Sequence, residues 1–363
     1  MKKILLLLVL SVISVSSLAQ VVFKDEGLTE EENARFSLVL TYSDSGREDE
    51  SIAILDELIE KHPDLSFLKY EKAYCLSHKQ DYKNAYETLK PAMSAPDVVP
   101  EIFASAGQCQ DMMGKPGDAL KTFRTGLERF PHSGCLHEEI GNVLTAQGHT
   151  REGLDAYERG IEVDPTYPSN YYRAAQLLST DYPVKAIIYA ETHNLRSNFN
   201  DPRWVELSKL LYDTYNENIH FEADTVRTTF ARDRDFVVDT NAVNSPVELL
   251  KALVTAAQEI DFDEAMKASI DVEALRAAGG QLTLAELTAI RRRFLENYDN
   301  KKGKYDKFSF LLFDFQKKIL DAGHWEAYNM FTLREGRPEE FKAWQPDHDP
   351  DMIAFLKFMT GEE

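Results

Sequence analysis

The stretch from Pro100 to Pro165 matches itself when it is shifted by 34 residues. The matched pairs are Gly107 and Gly141, Gly114 and Gly148, Phe123 and Tyr157, Gly126 and Gly160, and Pro131 and Pro165. A fixed period of this length is typical of helical hairpins that stack on one another, because one hairpin buries its apolar face only against its neighbours. The period therefore predicts an α-helical solenoid, a kind of scaffold that usually binds other proteins.

The repeated residue types fit two antiparallel helices per repeat. Small residues at Gly107 and Ala119 allow two helix backbones to approach each other. Gly114 suits the left-handed residue that ends a helix. Phe123 is large enough to fill the space between hairpins. Pro131 should stop the second helix, because proline lacks an N–H and disfavours a helical residue before it.

These positions resemble the tetratricopeptide repeat family, whose pattern runs aromatic, small residue, turn glycine, alanine, aromatic, alanine and proline. The matching residues are Phe103, Gly107, Gly114, Ala119, Phe123, Gly126 and Pro131. The next repeat departs at His137, where the pattern has an aromatic, and at Gly153, where it has alanine. The preceding repeat has Gln80 at the turn-glycine position. The resemblance covers about half of the chain. It implies an all-α fold, with a tetratricopeptide-type solenoid followed by a mainly helical C-terminal region.

Residues 1–19 have the layout of a secretory signal peptide. Two lysines are followed by an apolar run from Ile4 to Val15, which is too short to span a bilayer comfortably. Ser17-Leu18-Ala19 is a small-residue cleavage site before Gln20, and no cysteine follows that could carry a lipid anchor. The sequence predicts an exported protein, periplasmic or secreted. An uncleaved membrane anchor is the alternative.

The rest of the chain divides into three predicted segments. Tetratricopeptide-like helical repeats occupy 20–218 and match the pattern best at 32–165. Residues 219–243 contain few helix formers and read as a linker or a short β-excursion. Residues 244–363 form a predicted helical C-terminal domain. Thr29 and Glu32 have the spacing of a capping box that starts the first helix.

The charge of the chain narrows the class of partner. Its 61 acidic and 41 basic residues give a net charge of −20. Nucleic acid and anionic membrane surfaces are therefore poor partners. The three cysteines are Cys75, Cys109 and Cys135, and an odd number leaves at least one without an intramolecular partner. Cys75 and Cys109 lie one period apart, and we interpret them as small packing residues.

The sequence contains no motif of a known catalytic or nucleotide-binding type, so a non-catalytic protein without cofactors is predicted. Two clusters carry residue types that bind metals: His132, Cys135, His137, Glu138 and Glu139 in one turn, and Asp347, His348, Asp349 and Asp351 near the C terminus. In the first, His137 falls on a packing position of the repeat. The second lacks the glycine turn and the bidentate glutamate of a calcium loop. Packing and a solvated turn are the favoured interpretations.

The C-terminal region has a basic patch that could dock an acidic partner or simply form a solvated surface. Its residues are Arg291, Arg292, Arg293, Lys301, Lys302, Lys304 and Lys307. An alternative function also involves this region: an enzyme or small-ligand-binding protein whose site lies between the repeats and the C-terminal helical domain. Arg291, Asp314 and His324 would line such a site.

The tetratricopeptide resemblance implies a concave groove lined by the first helix of each repeat. The residues expected to bind a partner there are Tyr70, Tyr74, Gln108, Asp111, Glu138, Asn142, Tyr172 and Gln176. No lysine or arginine among them could clamp a peptide carboxylate, whereas tyrosine and amide side chains can stack on and hydrogen-bond an extended chain. Asp111 and Glu138 favour a neutral or basic polypeptide. The predicted function is a protein–protein interaction scaffold in the cell envelope; the alternative is a groove filled by the protein's own C-terminal helices.

Overall fold

The structure is a computed structural model that describes residues 27–197, 201–222, 225–231, 259–299 and 307–361, with the side chains of 298–299 and 307–310 left out. Helices make up almost all of these residues, which confirms the predicted all-α class. The predicted signal peptide at 1–19 lies outside the described residues, as do Lys301, Lys302 and Lys304. No helix in the described ranges is long and apolar enough to cross a bilayer.

The chain divides into two compact units, Met1–Arg173 and Ala174–Glu363. The sequence placed the boundary between the repeats and the C-terminal region at 219–243. In the structure, the helices between Pro183 and Asn218 belong to the second unit.

The first unit consists of helical hairpins in which each helix packs on the next along the chain. Its helices are α1 (Glu30–Asp44), α2 (Glu48–Lys61), α3 (Ser66–His78), α4 (Tyr82–Ala92), α5 (Pro100–Met112), α6 (Pro116–Arg129), α7 (Gly134–Ala146), α8 (Thr150–Val163) and the first part of α9 (Pro168–Leu178), which continues into the second unit. Helix α1 starts with the predicted capping box, since the Thr29 hydroxyl accepts from the Glu32 N–H and the Glu32 carboxylate accepts from the Thr29 N–H.

Glycine and an aromatic ring pair in each of the two best-matched repeats. A Cβ atom on Gly107 would overlap the ring of Phe123, and one on Gly141 would overlap the ring of Tyr157. Both rings are buried, as predicted. Each ring, however, lies against the first helix of its own hairpin, whereas the sequence placed it between hairpins. The glycine is therefore needed because it leaves the room that the aromatic side chain fills.

The contact from one hairpin to the next changes along the first unit. Gly126 faces the apolar side chains of Phe103 and Leu136, with no room for a Cβ. One period later, Gly160 faces Asn170 instead. Asn170 is fully buried, and its Nδ2 donates to the carbonyl oxygen of Gly134 at 2.9 Å. At the later interface, a hydrogen-bonded amide side chain therefore lies where the earlier interface has an apolar side chain.

The turns inside the hairpins keep the 34-residue register. Gly46, Gly114 and Gly148 have φ values of 71°, 75° and 84°, and Gln80 has a φ of 61° at the equivalent position. Among the described residues, Gln80 is the one non-glycine with positive φ. A side chain in this left-handed region is sterically unfavourable, so the turn of the second hairpin carries local strain.

The described residues of the second unit show no such repeat. Its elements are α10 (Pro183–Arg196), α11 (Pro202–Asn218), β1 (Ile219–Glu222), β2 (Thr225–Thr228), α12 (Val272–Ala277), α13 (Leu284–Asp299), α14 (Lys307–Asp321), α15 (Trp325–Thr332), α16 (Pro338–Trp344), a 3-10 turn (Gln345–Asp347) and α17 (Asp349–Thr360). Residues 259–269 are also helical. The two strands form an antiparallel hairpin in which Ile219 pairs with Thr228.

A row of aromatic rings runs through the core of the second unit. Tyr215 contacts Phe230, Phe230 contacts Phe262, Phe262 contacts Phe294, and Phe294 contacts Phe313. Ring centroids in this row are 4.7–5.9 Å apart. Because these residues come from distant parts of the sequence, they hold together segments that no short-range pattern connects.

Arg291 lies in the interior of the second unit. The sequence placed it in an exposed basic patch, and this prediction was wrong. Its side chain is 3% exposed and forms an ion pair with Glu191. Successive residues on a helix point in different directions, so Arg292 is exposed while Arg293 donates to the Ser269 carbonyl at 2.6 Å.

The three cysteines are free thiols. Cys75 and Cys109 are buried, and each lies beside a serine. The Oγ of Ser43 is 3.2 Å from the Sγ of Cys75, and the Oγ of Ser77, one period after Ser43, is 3.6 Å from the Sγ of Cys109. Burial raises the pKa of both thiols. Buried, protonated thiols of this kind are unreactive, in keeping with a packing role.

Candidate functional site

The first helices of successive repeats pack side by side, so residues 34 apart in sequence become neighbours in space. Helices α3, α5 and α7 together present a polar surface, which we call the first-helix face. Its residues are Tyr70, Glu71, Tyr74, Glu101, Ser105, Gln108, Asp111, Cys135, Glu138, Glu139 and Asn142. Hydrogen bonds made by Tyr70 and Gln108 connect its three rows.

Tyr70 connects α3 to α5. It is half-buried and hydrogen-bonds with Ser105. Burial, reinforced by the nearby carboxylates of Glu71 and Glu101, raises the pKa of Tyr70 to about 12. Tyr74, one turn further along α3, is half-buried with its ring 4.3 Å from the ring of His78. Both tyrosines therefore keep part of their surface accessible.

Gln108 connects α5 to α7. This exposed side chain donates from Nε2 to Oε1 of Glu139 at 2.8 Å. Glu139 is half-buried, and burial together with the charge of Glu138 raises its pKa to about 7. Asp111, one turn beyond Gln108, is half-buried. This part of the face joins an accessible amide to a carboxylate that lacks full hydration.

Several residues expected to face a partner are instead engaged inside the protein. Glu138 is 7% exposed, accepts from the Tyr167 hydroxyl at 2.8 Å and lies 3.5 Å from Arg173. Asn142 accepts from the Tyr157 hydroxyl at 2.9 Å, within its own repeat. The expectation of an exposed ring is wrong for Tyr172, which is 6% exposed.

Gln176 lies at the other end of the predicted set. It is exposed on α9, and its Nε2 is 3.4 Å from a carboxylate oxygen of Glu206. Because the division between the two units falls within α9, Gln176 belongs to the second unit, whereas the first-helix face belongs to the first.

Two acidic residues of the first-helix face were not among the binding residues predicted from the sequence. Burial raises the pKa of Glu71 to about 7, and burial also raises the pKa of Glu101. Burial also raises the pKa of the Cys135 thiol to about 12, with further contributions from the charges of Glu101 and Glu139. One signal could have identified Glu71: it precedes Ser105 by one period and Glu139 by two.

The electrostatics of the face indicate what it can bind. Half-buried carboxylates hold their protons more tightly than in water because the charged form has lost hydration. A positively charged group placed against them would restore the lost stabilisation. Tyrosine rings beside such carboxylates add apolar contact area and, through their faces, an attraction for cations.

The residues of the alternative small-ligand site lie within the second unit. Arg291 is committed to its ion pair with Glu191. The His324 ring, just before α15, is 5.0 Å from the ring of Phe358. Asp314 is half-buried on α14.

The two clusters of metal-binding residue types have other surroundings. In the first, His132 is exposed and burial lowers the pKa of half-buried His137. In the second, the ring of His348 stacks on Trp344 at 4.3 Å. Across the described parts of the chain, no three His, Cys, Asp or Glu side chains are grouped so as to hold a metal ion.

Comparison with known proteins connects part of the chain to tetratricopeptide proteins. No family model matches it. The small glutamine-rich tetratricopeptide repeat-containing protein 2 of Mycosarcoma maydis is 27% identical over 99 residues. That match covers 27% of this chain and 28% of the relative. It supports the tetratricopeptide type of these repeats.

Solved structures with similar folds cover about half of the chain. A thermophilic tetratricopeptide repeat protein of Thermus thermophilus is 14% identical, with a TM-score of 0.42 over 50% of this chain and 98% of its own. PilF of Pseudomonas aeruginosa is 17% identical, with a TM-score of 0.41 over 51% of this chain and 85% of its own. Both likenesses concern the fold alone.

Proposed function

We propose that this protein is an exported, non-catalytic interaction protein whose first-helix face binds a polypeptide. The observation that carries the proposal is the combination of half-buried tyrosines and half-buried carboxylates on neighbouring first helices. Interface tyrosines anchor partners by burying large, rigid surface. Repeats that stack hairpins commonly offer such extended surfaces.

The partner we propose is neutral to basic. Glu71, Glu101 and Glu139 are partly removed from water, so a lysine or arginine of a partner would find carboxylates that gain from a nearby cation. The net charge of −20 disfavours nucleic acid. Affinity that depends on these charges should decrease as salt is added.

Export is part of the proposal and is supported by the layout of residues 1–19. Cleavage before Gln20 would release the protein to the periplasm or the exterior without membrane insertion. N-terminal sequencing of the protein from an envelope extract tests this. Retention of Met1 in a membrane pellet would contradict it.

The binding face is tested by removing its two accessible rings. Mature protein and the Tyr70→Ala, Tyr74→Ala double variant are used as baits in a pull-down from the envelope fraction, followed by mass spectrometry. Anchor tyrosines lose about 2 kcal/mol or more of binding free energy on truncation, so partners retained by the wild type should be lost.

A matched control comes from the same repeat. The Tyr82→Ala, Tyr86→Ala double variant removes two tyrosine side chains from α4, the second helix of that repeat. Both of these tyrosines pack against the core. This control should lower stability similarly but keep the partner. If it loses the partner too, or if Arg292→Ser alone abolishes capture while the Tyr70, Tyr74 variant retains it, the proposed face is wrong.

A further inference from the structure

A small cavity lies inside the second unit, beside the Glu191–Arg291 ion pair. Its volume is about 10 Å³, which is room for a single water molecule. Most of its wall is apolar and includes Trp204, Phe331 and Phe355. Glu191 and Asn194 also line it.

The two oxygens of Glu191 have unequal surroundings. Oε1 accepts hydrogen bonds from Arg291, from the Tyr328 hydroxyl and from Nε2 of Gln316, the last at 2.8 Å. Oε2 has no hydrogen-bond partner among the described residues, although the side chain is 1% exposed. One acceptor of a buried carboxylate is therefore left unsatisfied.

Asn194 leaves a donor unsatisfied next to it. The residue is 3% exposed, its Oδ1 lies 3.1 Å from Nδ1 of His193, and its Nδ2 has no partner in the described parts of the chain. Glu191 and Asn194 are three residues apart on α10, a spacing that puts side chains on the same helix face. Two residues that each carry an unsatisfied polar atom thus line the same cavity.

We propose that this cavity is a binding site for one water molecule, which donates to Oε2 of Glu191 and accepts from Nδ2 of Asn194. Buried polar atoms in proteins nearly always have a partner, and ordered internal water commonly supplies it. Water fits because it is both donor and acceptor. A cation does not, since Arg291 already balances the carboxylate and the amide N–H needs an acceptor.

A crystal structure of the wild-type protein tests the site directly. The expected result is a density peak within about 2.7–3.2 Å of both Oε2 of Glu191 and Nδ2 of Asn194. An empty cavity in a map that shows other internal waters would overturn the proposal. A peak that contacts only one of the two atoms would do the same.

Two variants separate this water from general effects on the ion pair. Asn194→Leu removes the donor and fills the cavity, so the peak should disappear and water-oxygen magnetic relaxation should report one fewer long-lived internal water. Gln316→Leu removes a donor to Oε1 without lining the cavity, so the water should stay. The opposite pattern would refute the site. The wild-type map decides the question even if Asn194→Leu does not fold.

Discussion

Each of the two units of this protein is stabilised internally by a different kind of contact. In the first unit one contact is used repeatedly: Gly107 receives the ring of Phe123, and one period later Gly141 receives that of Tyr157. In the described residues of the second unit no contact repeats in this way, and the single side chain of Glu191 accepts hydrogen bonds from three different helices. Stability that is distributed over equivalent contacts should fail gradually, whereas stability that depends on one buried charge should fail at once.

The largest effect is expected at the centre of the second unit. Arg291→Met should lower the free energy of unfolding by about 3–5 kcal/mol, because it leaves the buried Glu191 carboxylate without its counter-charge. Chemical denaturation measures this decrease.

Two further variants serve as controls for this prediction. Adding Glu191→Leu should recover part of the stability, and Lys317→Met, which breaks an exposed pair with Asp321, should change it by about 0.5 kcal/mol or less. Equal losses at Lys317 and Arg291 would contradict the proposed centre.

A decrease of similar size in the free energy of unfolding is expected in the repeats, but its effect should extend to neighbouring hairpins. Phe123→Ala and Tyr157→Ala should each lower the free energy of unfolding by about 3–5 kcal/mol, as for other buried aromatic truncations. Because neighbouring hairpins stabilise one another, hydrogen exchange should accelerate in the adjacent repeats as well. A change within about 0.5 kcal/mol, the range of ordinary surface sites, would show that these rings are not the contacts that hold the hairpins.

A smaller, pH-dependent effect is expected on the first-helix face. The pKa of Glu71 rises from 4.5 to about 7 on folding. Such a group supports folding fully below pH 4.5, and its contribution is lost as the pH rises through 7. Glu71→Gln should therefore stabilise the protein at pH 8 by about 1 kcal/mol after allowance for solvent screening, and much less at pH 4.

The control for this prediction is Glu87→Gln. Glu87 is an exposed carboxylate on second helix α4 of the same repeat. The same carboxylate-to-amide change at this exposed site is the reference for the pH dependence measured at Glu71. Denaturation curves of both variants at pH 4 and pH 8 provide the measurement. If Glu71→Gln is no more stable at pH 8 than at pH 4, relative to wild type, the face does not hold a poorly hydrated carboxylate there.

The smallest effect concerns a departure from the repeat. Gln80 occupies a left-handed turn where the neighbouring repeats have glycine. Gln80→Gly should stabilise the protein by about 0.5 kcal/mol, because relief of left-handed strain is partly offset by the entropy of the unfolded chain. The reverse change, Gly114→Gln, should destabilise it by about 1 kcal/mol. If the denaturation midpoints of the two variants shift in the same direction, the turns at Gln80 and Gly114 are not equivalent.

Periodic contacts of this protein could be predicted from its sequence, whereas contacts between distant segments could not. The hairpins and the turn at Gly114 follow from residue types at a fixed spacing. Arg291 could not be placed, because its partner Glu191 is 100 residues away and no local pattern links them. The repeat position of Tyr172 predicts a place on the binding face, yet its burial depends on how neighbouring helices pack. The raised pKa values of Glu71 and Glu139 depend on the same packing.

The buried hydrogen bond of Asn170 determines where this array could grow. A second copy of the hairpin at 98–131, inserted after Pro131, would bring Ile102 against Gly126, and so would keep an apolar side chain where Leu136 now lies. After Pro165, the same copy would bring Ile102 against Gly160 in place of Asn170, and the Gly134 carbonyl would lose the amide it now accepts from. The array can be lengthened internally, while its last interface is specific to the helix that follows.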